Sequence, residues 1–160
     1  MLIYHPAYDT YHCMVRILKI LNFLSEKQFE LDRIRIYDYF FLFPNEIEIA
    51  TLALDYGKYK KILLNNKYNK VQNSKQTFYR LESYQNLAFK ALSTFNLIDK
   101  YALDNDFVIR TSAIIPEGLL NNLDSIESSY LELVQSYFEE LSLKELKRRT
   151  TLIEYRYELS

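Results

Sequence analysis

Between Tyr11 and Leu24 the polar residues His12, Arg16, Lys19 and Asn22 recur three or four positions apart, and nearly everything between them is apolar. That spacing predicts a helix with one narrow polar stripe, largely buried on its other faces. Leu31 to Phe43 carries two patterns. Arg33-Ile34-Arg35-Ile36 alternates as a strand would, whereas Ile36, Phe40 and Phe43 line up at helical spacing. The length of the run and the stop at Pro44 favour helix. Asn45, with Glu48 three positions on, makes a capping-box pattern. It predicts a further helix that carries Ile49, Leu52, Ala53 and Tyr56 on one face and ends near Gly57. The polar stretch Asn65 to Lys75 reads as a loop. Phe78 to Phe95 reads as a helix, with Phe78, Leu81, Gln85, Ala88, Leu92 and Phe95 at helical intervals.

Two short β-prone runs, Lys100 to Leu103 and Phe107 to Thr111, flank an Asp104-Asn105-Asp106 turn and read as a hairpin. A helix followed by a compact hairpin is how a winged helix-turn-helix ends. Beyond Pro116, Asp124 with Glu127 offers a second capping box, and Ile126, Tyr130, Val134 and Tyr137 form one stripe with Leu133, Phe138 and Leu141 beside it. Ser142 with Glu145 repeats the signature before a mixed-charge helix that is expected to reach about Glu158. The expected fold is mainly α (α+β): a winged helix-turn-helix-like helical domain with a small β-hairpin wing and C-terminal helices. Residues 1–160 are read as a single domain, with the winged-helix-like core at about 11–112 and a helical extension at about 117–160. With two glycines and three prolines, the chain shows no flexible linker, repeat or low-complexity tail.

A chain of 160 residues buries roughly two-thirds of its unfolded surface and needs no disulfide or metal to hold it together. Fifteen Tyr and ten Phe, with no Trp, raise the aromatic share to 16%. Tyrosine buries a ring while keeping its hydroxyl wet, so this surplus suits surfaces presented to partners; biased base composition is the other reading. The formal charge of −1, from 20 basic and 21 acidic residues, argues against a general polyanion binder. Cys13 is the single cysteine, which excludes an internal disulfide and suits a reducing cytosol. The opening MLIYHPAYD has no basic region followed by an apolar stretch, so no secretory leader is expected. The longest uncharged apolar run, Tyr39 to Pro44, falls far short of the ~18 residues a membrane span needs. A soluble, cytoplasmic protein is expected.

The search for chemistry returns little. Phosphate-loop, GxGxxG and GxSxG motifs are absent, as are HExxH and CxxC. His5, His12 and Cys13 are the only soft metal ligands, and zinc would have to recruit Asp9 as well. Cys13 and His12 are adjacent, and neighbours on a helix point about 100° apart, so they do not make a nucleophile and base. Cys13 reads as a buried structural thiol. The pairs Glu46 with Glu48 and Glu139 with Glu140 read as capping or solvated residues. No catalytic residue, cofactor or metal is expected. From Gly57 to Arg80, by contrast, the chain holds Lys58, Lys60, Lys61, Lys67, Lys70, Lys75 and Arg80, interleaved with Tyr59, Tyr68 and Tyr79 and without a single acid. This stretch is a solvated loop, a nucleic-acid track or a contact for an acidic partner.

The opening Tyr4-His5-Pro6-Ala7-Tyr8-Asp9, running on to Tyr11-His12-Cys13 and Arg16, resembles the start of a middle-component family of ABC-three-component systems. Leu31-Asp32-Arg33-Ile34-Arg35-Ile36-Tyr37-Asp38 with Phe43-Pro44 resembles its second block. These systems are bacterial Lamassu-type antiphage operons. The resemblance is sharp over about the first third of the chain and architectural beyond it. It implies a small winged-helix-like adaptor without enzymatic activity, seated in a hetero-oligomer between an SMC/Rad50-like ATPase and a toxic effector, commonly a nuclease. DNA contact would then occur within the complex. It also marks Tyr4, His5, Pro6, Asp9, His12, Arg16, Asp32 and Arg33 as motif residues, serving either a polar network or direct partner contact. The alternative reading is a winged-helix DNA-binding regulator that uses Gly57 to Arg80 and the Lys100 to Thr111 wing.

Overall fold

Asp9 lies in extended backbone, and its carboxylate accepts from the His12 N–H at 3.0 Å. Helix α1 (Thr10–Phe23) therefore starts where the periodic pattern does. The computed structural model describes residues 8–24, 26–64, 71–120 and 122–153. On α1, Cys13, Ile17, Leu18, Ile20 and Leu21 are buried. The predicted polar stripe is interrupted: His12 and Asn22 are exposed, but Arg16 is buried. The ambiguous segment is helix α2 (Leu31–Leu42), directly preceded by strand β1 (Gln28–Glu30). The alternation at 33–36 does not mark a strand. Arg33 and Arg35 are themselves buried, each satisfied by ion pairs.

The chain forms two compact units, each assembled from two separated stretches: Met1–Asp38 with Arg80–Asn122, and Tyr39–Tyr79 with Leu123–Ser160. The first unit holds α1, β1, the start of α2, the later part of α4 (Ser74–Thr94), α5 (Lys100–Asp104) and strand β2 (Phe107–Ile109). β1 and β2 pair antiparallel in the register Gln28–Ile109, Phe29–Val108 and Glu30–Phe107. Phe29 and Val108 are both buried, so this register places the apolar side of each strand inward. Asn96, at φ 59°, ends α4 and lets the Leu97 N–H return to the Leu92 carbonyl at 2.9 Å.

The mainly helical fold with one small antiparallel sheet matches the expectation; the expected pairing does not. Residues 100–103 are helix rather than the first arm of a hairpin, because the Asp99 carboxylate accepts from the Ala102 N–H at 2.7 Å and caps α5. The strand at 107–109 finds its partner some eighty positions earlier in the chain.

In the second unit, α3 (Gly57–Leu63) packs against α6 (Ser125–Ser136). α6 opens with the predicted capping box, Asp124 and Glu127 each accepting from the other's N–H at 2.7 and 3.0 Å. Tyr130, Leu133, Val134 and Phe138 are buried, and Phe40 meets Phe138 at a ring separation of 6.5 Å. Pro44 to Gly57 departs from the expected single helix. Pro44–Ile49 is a 3₁₀ turn whose N-cap is Phe43 with no side-chain hydrogen bond, and Asn45 lies inside the turn. Proline at the first helical position starts the turn one residue too early for Asn45 to cap it. A second 3₁₀ turn, Leu54–Tyr56, leads into α3, so Gly57 begins a helix instead of closing one. Lys75 belongs to α4 rather than a loop, whose first turn is capped by Asn73 Oδ1 accepting from Gln76 N–H at 3.0 Å. Ser142 caps α7 (Leu143–Thr150) as expected, but the helix stops short of Glu158 at Thr150, where Thr151 turns left-handed at φ 59°.

Candidate functional site

Two arrangements stand out, one in each unit. In the first unit a polar network is sealed into the interior. Asp38 on α2 has no solvent exposure. Its carboxylate accepts from Arg16 Nε at 2.7 Å, Arg16 Nη2 at 3.2 Å, Gln85 Nε2 at 2.9 Å and the Cys13 thiol at 3.7 Å. Gln85, on α4, also donates to the Arg35 carbonyl at 3.2 Å and accepts from Arg35 Nε at 3.1 Å. Arg35 continues outward to Asp32 at 3.0 Å and Glu82 at 3.5 Å. The network thus ties three helices by charged hydrogen bonds. Burial opposes the Arg16 charge most strongly, yet the charge and hydrogen bonds of Asp38 outweigh it and hold the guanidinium above its ordinary value. Burial first, and then the Asp38 charge, push the Cys13 thiol far up. A thiol held protonated in this way is no nucleophile.

In the second unit, three tyrosine rings form a column. Tyr59 stacks on Tyr56 at 6.4 Å, and Tyr56 on Tyr137 at 4.4 Å. A cation lies at each end: Lys58 is 5.4 Å from the Tyr59 ring centre and Arg149 is 6.0 Å from that of Tyr137. Two of the three hydroxyls are engaged as well. Tyr137 Oη accepts from the Ala53 N–H at 3.2 Å, and Tyr56 Oη donates to the Ser136 carbonyl at 3.1 Å. Nearby, Glu46 accepts from the hydroxyls of Tyr39, at 2.6 Å, and Ser74. Two hydroxyls thus hold the Glu46 carboxylate in place beside the start of α4.

The motif residues do not converge on one site. Asp9 caps α1 and lies 3.2 Å from His12 Nδ1, whereas Arg16 turns inward to Asp38. Asp32 accepts from Arg35, and Arg33 donates to Glu30 at 2.8 Å and to Tyr37 Oη at 3.1 Å. Of the basic stretch, Lys58 and Lys61 are exposed on α3, while Lys60 donates to the Glu48 carbonyl at 3.4 Å. Tyr4, His5, Pro6, Lys67 and Lys70 lie outside the described residues. Among the described residues no group of three or more His, Cys, Asp or Glu could hold a metal ion, and no helix is long and apolar enough to cross a membrane. Asp38, Arg35 and Gln85 are not recognisable as a set along the chain. A glutamine on the apolar stripe between Leu81 and Ala88 was the available signal, since a polar group on a buried face requires partners. The Tyr56–Tyr137 stack had no such signal, because its members are distant in the chain.

No curated protein and no solved structure matches the chain significantly. The model of the family described as ABC-three component (ABC-3C) system Middle Component 5 matches residues 2–158, almost the whole length. The chain belongs to the ABC-three component system Middle Component 5 family.

Proposed function

We propose that this protein is a non-enzymatic adaptor of a cytoplasmic, Lamassu-type antiphage defence complex. It joins an SMC/Rad50-like ATPase to a toxic effector, commonly a nuclease. The near full-length family match carries the reading. The chemistry is consistent with it: Arg16, Arg33 and Arg35 of the two family-like blocks are engaged in ion pairs within the chain, and burial beside Asp38 pushes the Cys13 thiol far up. What the chain offers is surface.

An adaptor of this kind works by differential binding. It stabilises the resting assembly, and a rearrangement of the ATPase on foreign DNA weakens its hold on the effector. The winged-helix regulator is the less favoured alternative, because the segment that would supply the first arm of its wing is the capped helix α5. Co-expression of the chain with the ATPase and effector encoded beside it, followed by size-exclusion chromatography, tests the proposal. Co-elution of all three is expected, and migration of the chain as a lone monomer in every combination overturns it.

A further inference from the structure

Leu54 is 99% exposed, yet the backbone that presents it is held on both sides. Before it, the Ala53 N–H donates to Tyr137 Oη, and after it the Tyr56 hydroxyl donates to the Ser136 carbonyl. The Tyr56 ring is also stacked on Tyr137 at 4.4 Å. A lone exposed leucine is ordinary. A leucine raised on a pinned turn is different, because little conformational entropy remains to be lost when it is buried. The helix that follows extends the surface. Lys58, Lys61 and Ile62, spaced three and four apart, occupy one exposed face of α3, while Leu63 is buried on the opposite side.

Resting on the adaptor reading, we infer that Leu54, Lys58, Lys61 and Ile62 form a docking surface for a component of the same complex, which presents an apolar pocket rimmed by carboxylates. Charge complementarity sets the class of occupant. The exposed face of α3 carries two lysines, and residues 57–64 contain no acid. Asp55, exposed on the preceding turn, places one negative charge beside Leu54, so the partner's carboxylates fall along α3 rather than over the turn. Nucleic acid fits less well. Tyr56 is stacked with both Tyr137 and Tyr59, and Lys58 lies over the Tyr59 ring, so these rings are already engaged with one another and with a cation. Two lysines neutralise few phosphates, and a phosphate backbone has no use for an exposed leucine. A fully exposed Leu54 followed by the lysine-bearing face of α3 offers an apolar anchor with a basic flank.

The test uses the full chain co-expressed with the ATPase and effector components of its own operon. Leu54→Asp and the pair Lys58→Glu with Lys61→Glu are compared with Lys90→Glu and Lys100→Glu, which alter charge elsewhere, and circular dichroism verifies that each variant is folded. The expected result is that wild type retains both components, while each test set weakens one of them by about thirtyfold or more and the control pair does not. Wild-type affinity in the test variants overturns the docking surface and leaves the adaptor reading standing. Failure of wild type to retain either component overturns both. Two further results also overturn the docking surface: duplex DNA binding that is lost with the lysine reversals but indifferent to Leu54→Asp, and a chain dimer that Leu54→Asp converts to monomer.

Discussion

Arg16 and Asp38, twenty-two positions apart, meet through two hydrogen bonds of 2.7 and 3.2 Å with the carboxylate wholly sealed from water. The pair is a buried ion bridge whose members each depend on the other. Replacing Asp38 with alanine removes both of its hydrogen bonds to the buried Arg16 guanidinium and leaves Gln85 short of an acceptor. A loss of about 3–5 kcal/mol is expected, read as a lower urea midpoint by circular dichroism. Arg16→Met combined with Asp38→Leu should recover part of that loss. Single and double variants that are equally stable would show that the charge pair is not what the interior depends on.

Cys13 should be inert in the native state. Burial, then the Asp38 charge, keep its proton on, so maleimide labelling should proceed only at the rate of global opening and become complete in denaturant. The sign of the pH effect follows. The unfolded thiol ionises near ~8.5 while the folded one stays protonated. Its contribution to stability is therefore fully present below that pH and falls as the solution becomes more alkaline. Cys13→Ala should flatten that alkaline limb. Rapid native labelling would contradict the prediction.

Glu145 predicts an effect at the opposite end of the pH scale. Hydrogen bonds from Arg148 and Arg149 lower its pKa to about 2. A depressed carboxylate contributes stability above its unfolded value and loses it as the pH falls toward about 2. About a third of the side chain is open to solvent, so screening keeps the effect below about 1 kcal/mol. Glu145→Gln should remove this part of the acid limb, measured as thermal midpoint against pH at low and at high salt.

Tyr137→Phe deletes the acceptor of the Ala53 N–H while sparing the ring stack. The expected cost is about 1–2 kcal/mol, and amide hydrogen exchange at Ala53 should accelerate more than the global loss explains. In the complex, the same variant should weaken partner retention less than Leu54→Asp does, because the leucine is still present but less firmly held.

Much of the helical skeleton was legible along the chain because its signals are local. Asp124 with Glu127, Ser142 ahead of α7, and the periodicity of α1 and α2 each act within a turn or two. The misreadings have equally local causes. Pro44 pre-empted Asn45 as a cap, and Asp99 capped a helical turn where β-prone residues suggested a strand.

The order of apolar and polar residues determined by itself that this chain would be helical, with its single thiol buried and no assembled catalytic set apparent in its motifs. Family blocks in the first third pointed to the class of complex. Only the tertiary structure decided which polar residues of those helices turn inward, because burying Arg16 costs free energy until Asp38 arrives from another helix to offset it. It also paired β1 with β2, brought Tyr56 onto Tyr137 and left Leu54 standing out. Each of these depends on groups far apart along the chain, and such contacts form only once loop closure has been compensated by packing.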